Sequence, residues 1–289
     1  MINANYLNRL TELKLEYEKL KKGKDSLLKI LNDVELPELV YNSNAIENST
    51  LTLKETERIL LEQSVMREVS VRELFEAKNL ARVLEYLAKK PNEPITTGLV
   101  LLLHQMLIGG IKDEIAGRFR RKNEYVQVGG HIAPAPEHVE ALVEAAIEEF
   151  YGNERLNTIE KVARFHLEFE RIHPFVDGNG RIGRVLMYLQ LIAGGFPQIV
   201  VRNKGKRELY YPAFPAYEEK GDVKIMEKVV LLAVFESLHR RLAYLRGAKI
   251  VLLSDYAKRN QKSINTLLNA ARRQTIPAFR EKSTWKIGI

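Results

Sequence analysis

The 289-residue sequence contains no cysteine. That absence excludes disulfide frameworks, thiolate zinc sites and cysteine nucleophiles together, and it suits a reducing compartment. No apolar run approaches the ~20 residues that a membrane-spanning helix needs. The opening stretch, MINANYLNRLTELKLEYEKLKKGKD, has the charge and spacing of an amphipathic helix rather than of a secretory signal. A cytoplasmic location with no membrane partner is therefore expected. Internal repeats and low-complexity segments are also missing, so one large domain, or a domain with an appendage, is expected. What is present is an ordinary globular composition, 45% apolar and 28% charged.

Excess positive charge is absent from most of the chain and concentrated at one end. Residues 240–289 hold twelve Lys/Arg against Asp255 and Glu281, a balance of +10 within a total of +8, which leaves −2 for residues 1–239. Such a tail points to an anionic partner, nucleic acid first, with a solvated basic helix face as the plain alternative.

Hydrophobic spacing predicts a mainly α protein. Tyr6, Leu10, Leu13, Tyr17 and Leu20 mark a long helix over 3–31, and Asn/Ser-rich punctuation near 42–50 separates two short helical patterns. Thr52 and Glu55 have the spacing of a capping box opening the second. Further helices are expected over 73–89, 97–109, 137–151, 158–172, from 181 to 192, and over 223–246. Residues 117–136, GRFRRKNEYVQVGGHIAPAP, contain a β-prone stretch and a Gly129-Gly130 turn, which predicts a small hairpin. LYYPAFPAYEEKGD is expected to be the main loop before the last long helix.

The stretch HPFVDGNGRIGR at 173–184 carries chemistry residue by residue. His173 can accept a proton at physiological pH and is a candidate general base. Asp177 is a hard oxygen ligand suited to Mg2+, which is held by few carboxylates plus substrate phosphates. Gly178, Asn179 and Gly180 open a helix whose free N–H groups favour phosphate. Arg181 and Arg184, three apart on its first turn, are placed to reach one anion. Together these parts point to transfer of part of a nucleotide to a hydroxyl.

This stretch resembles the Fic motif HPFx(D/E)GNGRxxR at every specified position. The resemblance implies a Fic-type helical core that binds ATP with Mg2+ and moves AMP to a Ser, Thr or Tyr hydroxyl of a target protein. It further implies that His173 deprotonates the hydroxyl, Asp177 holds Mg2+, and Gly178, Asn179 and Gly180 cradle the α- and β-phosphates. Arg181 would neutralise charge on them and Arg184 would clamp the γ-phosphate. The family's β-hairpin flap aligns the target by β-augmentation, and Tyr125, Val126, Gln127, Val128, Gly129 and Gly130 resemble it. Tyr210, Tyr211 and Phe214 fall where the family borders adenine, with ordinary aromatic packing as the alternative. The segment SNAIEN at 43–48 is similar to the inhibitory pattern S/T-x-x-x-E-G/N, so Ser43 and Glu47 are expected to be regulatory. A helix-borne Glu47 paired bidentately with Arg184 would block a productive ATP pose. The same Glu47 leaves open a hydrolytic removal of AMP.

Elsewhere, His166 is expected to be a packed or orienting histidine, and His104, His131, His138 and His239 show no metal-ligand spacing. The tail, read as two short helices and an IPAFR…TWKIGI wing, resembles a winged-helix module. The expected divisions are an N-terminal region at 1–95, a catalytic core at 96–240 and the basic module at 241–289. DNA is a possible partner through that module, and a nucleotide-sensing DNA-binding regulator is the rival function. A homodimer is the commonest closed assembly for such a chain.

Overall fold

The computed structural model describes residues 4–64 and 69–289. The first helical pattern is two helices, α1 (Ala4–Leu20) and α2 (Asp25–Ile46), because Gly23 turns the chain at φ 71°. Residue 3, where the expected helix begins, lies outside the described residues. Helix α2 runs through Pro37 and through Asn42-Ser43-Asn44, where sequence punctuation predicts a break. Tertiary partners override the local preference: Asn42 Nδ2 donates to the Glu38 carbonyl at 2.7 Å and its Oδ1 accepts from the Asn203 amide at 3.1 Å.

The capping box forms as its spacing predicts. Thr52 Oγ1 accepts from the Glu55 amide and Glu55 accepts from the Thr52 amide, opening α3 (Leu53–Glu57). Helices α4 (Val71–Ala88) and α5 (Thr97–Ile108) follow, each started by a side-chain cap, Ser70 and Thr96. The hairpin pairs β1 (Gln127–Val128) with β2 (His131–Ile132) across Gly129-Gly130. Helices α6 (Val139–Gly152), α7 (Thr158–Ile172) and α8 (Asn179–Ala193) continue the core.

The segment expected to be the main loop contains helix α9 (Ala213–Lys220). Its two prolines mislead, since Pro212 precedes the helix and Pro215 lies in its first turn, where no intrahelical N–H is needed. Helix α10 (Lys224–Leu245) leads into β3 (Ile250–Leu252), α11 (Leu253–Arg259), α12 (Ile264–Arg272), β4 (Ala278–Glu281) and β5 (Thr284–Gly288). These last strands form an antiparallel sheet in the order β3-β5-β4.

Helix α7 packs against α6, α8 and α10 and is the axis of the molecule. Val40, Leu51 and Ile59 share one core with Leu103, Phe169 and Leu186, so packing runs without a break across residue 95. A second core joins α1 to α10, and Leu253, Ala257, Leu267, Ala271, Ala278 and Ile287 form a separate small one. No described helix is long and apolar enough to cross a membrane.

Candidate active site

Helix α7 ends at Ile172, and His173 caps it in the left-handed region at φ 49°, where Pro174 prevents further helix. The buried Arg120 holds this turn. Its Nε donates to the His173 carbonyl at 2.8 Å and Nη2 to the Ile172 carbonyl at 3.2 Å and the Pro134 carbonyl at 2.9 Å. Nη1 donates to the Glu124 carbonyl at 3.0 Å. One guanidinium thus ties the base of the hairpin to the turn that carries the base. Sequence reading missed Arg120; its only signal was the basic run before the hairpin. His173 Nδ1 donates to the Glu170 carbonyl at 3.3 Å, which leaves Nε2 as the proton acceptor. Burial lowers the imidazole to about 4, so it is neutral at physiological pH.

The loop from 174 to 178 rests on His104, whose ring stacks on Phe175 with centroids 3.7 Å apart. His104 Nδ1 accepts from the Gly117 amide at 3.1 Å and Nε2–H donates to the Asp177 carbonyl at 3.0 Å. Burial lowers this imidazole to about 4 as well. Asn179 grips Phe175 twice, accepting from its amide and donating to its carbonyl, both at 2.8 Å. The Asn179 side chain is therefore a brace for this turn. Gly178, at φ 88°, and Gly180 bracket it at the start of α8.

Asp177 faces three cations: Arg72 at 2.8 Å, Lys112 at 3.3 Å and Arg181 at 3.0 Å. These partners outweigh the penalty of burial and lower its pKa. No cluster of three or more His, Asp or Glu suited to a metal forms among the described residues. Asp177 fits Mg2+ as a single hard-oxygen ligand, the remaining positions being ones that phosphates or water fill.

The two motif arginines diverge, contrary to the expectation that both reach one anion. Arg181 is spent on Asp177 and on Glu76 at 3.0 Å, whereas Arg184 turns toward α2. Arg184 Nη2 meets Glu47 Oε1 at 2.8 Å and the Ser43 carbonyl at 2.9 Å; Nε donates to Ser43 Oγ at 2.9 Å. The pair with Glu47 is single rather than bidentate, because Ser43 takes the other edge of the guanidinium. Glu47 lies just beyond the helix, at its C-cap. Asn48 follows at φ 66°, with its amide bonded to Ala45 and that of Ser49 to Asn44, a Schellman ending that only Gly or Asn fits well. Lys206 Nζ caps the Ala45 and Ile46 carbonyls at 2.8 and 2.9 Å, and Tyr211 OH donates to Ile46 at 2.6 Å. A Cβ on Gly180 would come within 2.2 Å of Glu47 Oε1, so the bare glycine lets this carboxylate reach the start of α8.

Beneath this contact, Arg184 Nη1 donates to Tyr210 OH at 3.2 Å, and Tyr210 OH lies 2.7 Å from His166 Nε2. His166 is thus an orienting histidine, as its position on α7 predicts. Tyr210 is only 3% exposed and packs behind Arg184, the ordinary aromatic packing that was the alternative to an adenine contact. Tyr211, at 37%, presents an open face, and Phe214 packs edge-on against Tyr210 at 5.2 Å. Glu170, also missed from sequence, lies 3.9 Å from His173 Nδ1, and its Oε1 is buried without a hydrogen bond.

The hairpin exposes Tyr125, Val128 and Ile132. It is anchored by His131, which contacts the Arg171 carbonyl at 2.9 Å and the Glu218 carboxylate. Val126 accepts from the Ala133 amide at 3.1 Å and continues the ladder.

Residues 94–191 match the model of the Fic/DOC family. Over 176 residues the chain is 34% identical to the protein adenylyltransferase Fic of Nematostella vectensis, covering 59% of this chain and 41% of that protein. The chain therefore spans about two fifths of that relative's length. The fold resembles a Fic domain containing signaling protein from Bacteroides thetaiotaomicron, with a TM-score of 0.72 at 23% identity over 82% of this chain and 97% of that one. It also resembles a Fic family protein from Desulfovibrio desulfuricans, with a TM-score of 0.68 at 22% identity over 100% and 97%. Residues 94–191, which carry the HPFVDGNGRIGR turn at the head of α8, are thus similar to the Fic/DOC family.

Proposed function

We propose that the chain is a protein adenylyltransferase whose activity is held off by its own Glu47. The observation that carries this reading is the Arg184–Glu47 contact at 2.8 Å beside a neutral, preset His173. In the reaction, His173 Nε2 takes the proton of a target hydroxyl and the hydroxyl oxygen attacks the α-phosphorus of ATP. The bond to the β-phosphate breaks and pyrophosphate leaves. The amides opening α8 favour the polyphosphate, and Arg184, once released, holds its terminal phosphate. Mg2+ on Asp177, when bound, would neutralise phosphate charge. The exposed edge of the hairpin fits an extended target segment laid alongside it.

The test is labelling of the full chain with α-labelled ATP and Mg2+, read together with intact mass. Glu47→Gly is expected to raise incorporation roughly 10- to 100-fold, the scale of one charge-assisted contact of ~1.5–3 kcal/mol. His173→Ala is expected to abolish incorporation while ATP still binds. A mass shift other than that of AMP would reassign the donor, and equal labelling of the Glu47→Gly variant and the parent would refute the restraint.

A further inference from the structure

The basic tail divides into two halves once each cation is followed to its partner. Arg240 and Arg241 are spent on Glu35, Arg246 on Glu16, Arg280 on Glu236, Lys282 on Glu57 and Lys286 on Glu281. The remaining six (Lys249, Lys258, Arg259, Lys262, Arg272 and Arg273) have no carboxylate within ion-pair distance among the described residues. All six lie beside or on β3, α11, α12 and the turn between the helices. The charge available to a partner is therefore confined to one small module with its own core.

That module consists of α11, a four-residue turn, α12 and the β4–β5 hairpin, with β3 completing the sheet. Leu267 and Ala271 point α12 into its core. Opposite them, Asn265, Asn269 and Arg273 form an exposed row at intervals of four, flanked by Lys262 and Thr266. Ile264, on the helix's first turn, is 36% exposed. We propose that α12 is a recognition helix that enters the major groove of duplex DNA. A B-form major groove admits one helix, asparagine pairs with adenine edges, an exposed aliphatic suits a thymine methyl, and the flanking cations suit phosphates. The deep, narrow groove of double-stranded RNA excludes such a helix. The hairpin tip is not free to read DNA, because the Ser283 amide donates to Glu38 at 3.2 Å and Lys282 pairs with Glu57 at 3.1 Å. Readout falls to α12. This proposal does not depend on the nucleotidyl-transfer reading.

The test is selection from a random-sequence duplex DNA pool by the full chain, followed by binding measurements across a salt series. Binding is expected, with affinity falling as salt rises. Lys258→Glu, Lys262→Glu and Arg273→Glu are each expected to lower the slope of log affinity against log salt by about 1 and together to weaken binding by about tenfold or more. Asn265→Ala with Asn269→Ala is expected to keep non-specific binding and lose the selected-sequence preference by roughly 5- to 100-fold per base pair. Lys19→Glu with Lys22→Glu, on and just after α1, is expected to change nothing. Where a charge reversal fails to fold, Lys262→Gln with Arg273→Gln reads the same loss. The proposal is overturned by no duplex binding at low salt, by equal losses in the α1 variant, or by single-stranded RNA or an acidic polypeptide outcompeting the duplex.

Discussion

Glu170 lies on α7 one turn before His173, with one carboxylate oxygen 3.9 Å from the imidazole and the other buried without a partner. Burial, with the nearby Glu47 charge adding to it, raises this carboxyl to about 8 from 4.5. A raised folded-state value contributes stability that is complete below pH 4.5 and is lost as pH rises through about 8. Glu170→Gln removes that loss. The variant is expected to melt with the parent near about pH 5 and above it at pH 8, the gap growing by up to ~1.4 kcal/mol per pH unit. Melting curves that stay parallel across this window would refute the buried, neutral carboxyl. The motif around it was legible in the sequence because its parts are contiguous. Glu170 was not, because an acid within an amphipathic helix gives no sign of which face closes over it.

Helix α2 leads into the Glu47 turn, and its grip on the core is electrostatic at mid-length. Glu35 meets Arg240 at 2.6 Å and Arg241 at 2.7 Å and accepts from Gln198 at 2.8 Å, all in the interior. Burial opposes its ionisation, but the two arginines outweigh burial and hold the carboxyl at about 2. Its stabilisation is therefore present above pH 4.5 and lost as pH falls toward 2. Glu35→Ala strands two buried guanidinium groups and is expected to cost roughly 3–5 kcal/mol, read by urea unfolding at neutral pH. A loss below about 1 kcal/mol would show the pair to be dispensable. At this scale the sequence was partly legible: α7 begins and ends where its periodicity and Pro174 predict. Helix α2 was not, because Pro37 and Asn42-Ser43-Asn44 are breakers by local preference and are overruled by packing against distant residues.

Across the whole molecule, Glu236 on α10 joins the helical core to the C-terminal module. It accepts from Arg202 at 2.8 Å, in the segment before α9, and from Arg280 at 2.5 Å, on β4. Glu236→Gln is expected to speed amide exchange in residues 200–205 and 278–288 together, on the order of tenfold or more. Acceleration in one segment alone would show that Glu236 does not couple them. The mainly α class and the small hairpin were readable from periodicity and turn residues. The apportioning of the basic tail was not, since Glu16, Glu35, Glu57 and Glu236 come from elements far away in the chain.

The sequence by itself determined which groups stand together at 173–184, because covalent spacing alone puts a histidine, a carboxylate, a glycine-flanked helix start and two arginines within one short stretch. It also determined the Glu47 turn, where Asn48 supplies the left-handed ending that the pattern requires. Only the tertiary structure decided what each charge does. Arg184 is drawn to Glu47 and Ser43 while Arg181 is drawn to Asp177, and Tyr210 is sealed behind them. Half of the tail's cations are taken up by ion pairs with carboxylates, and the rest are left on α12 and its surroundings. Ionisation, burial and pairing depend on neighbours brought together by folding, and these partners lie more than a hundred residues apart in the chain for Arg184 and Glu47.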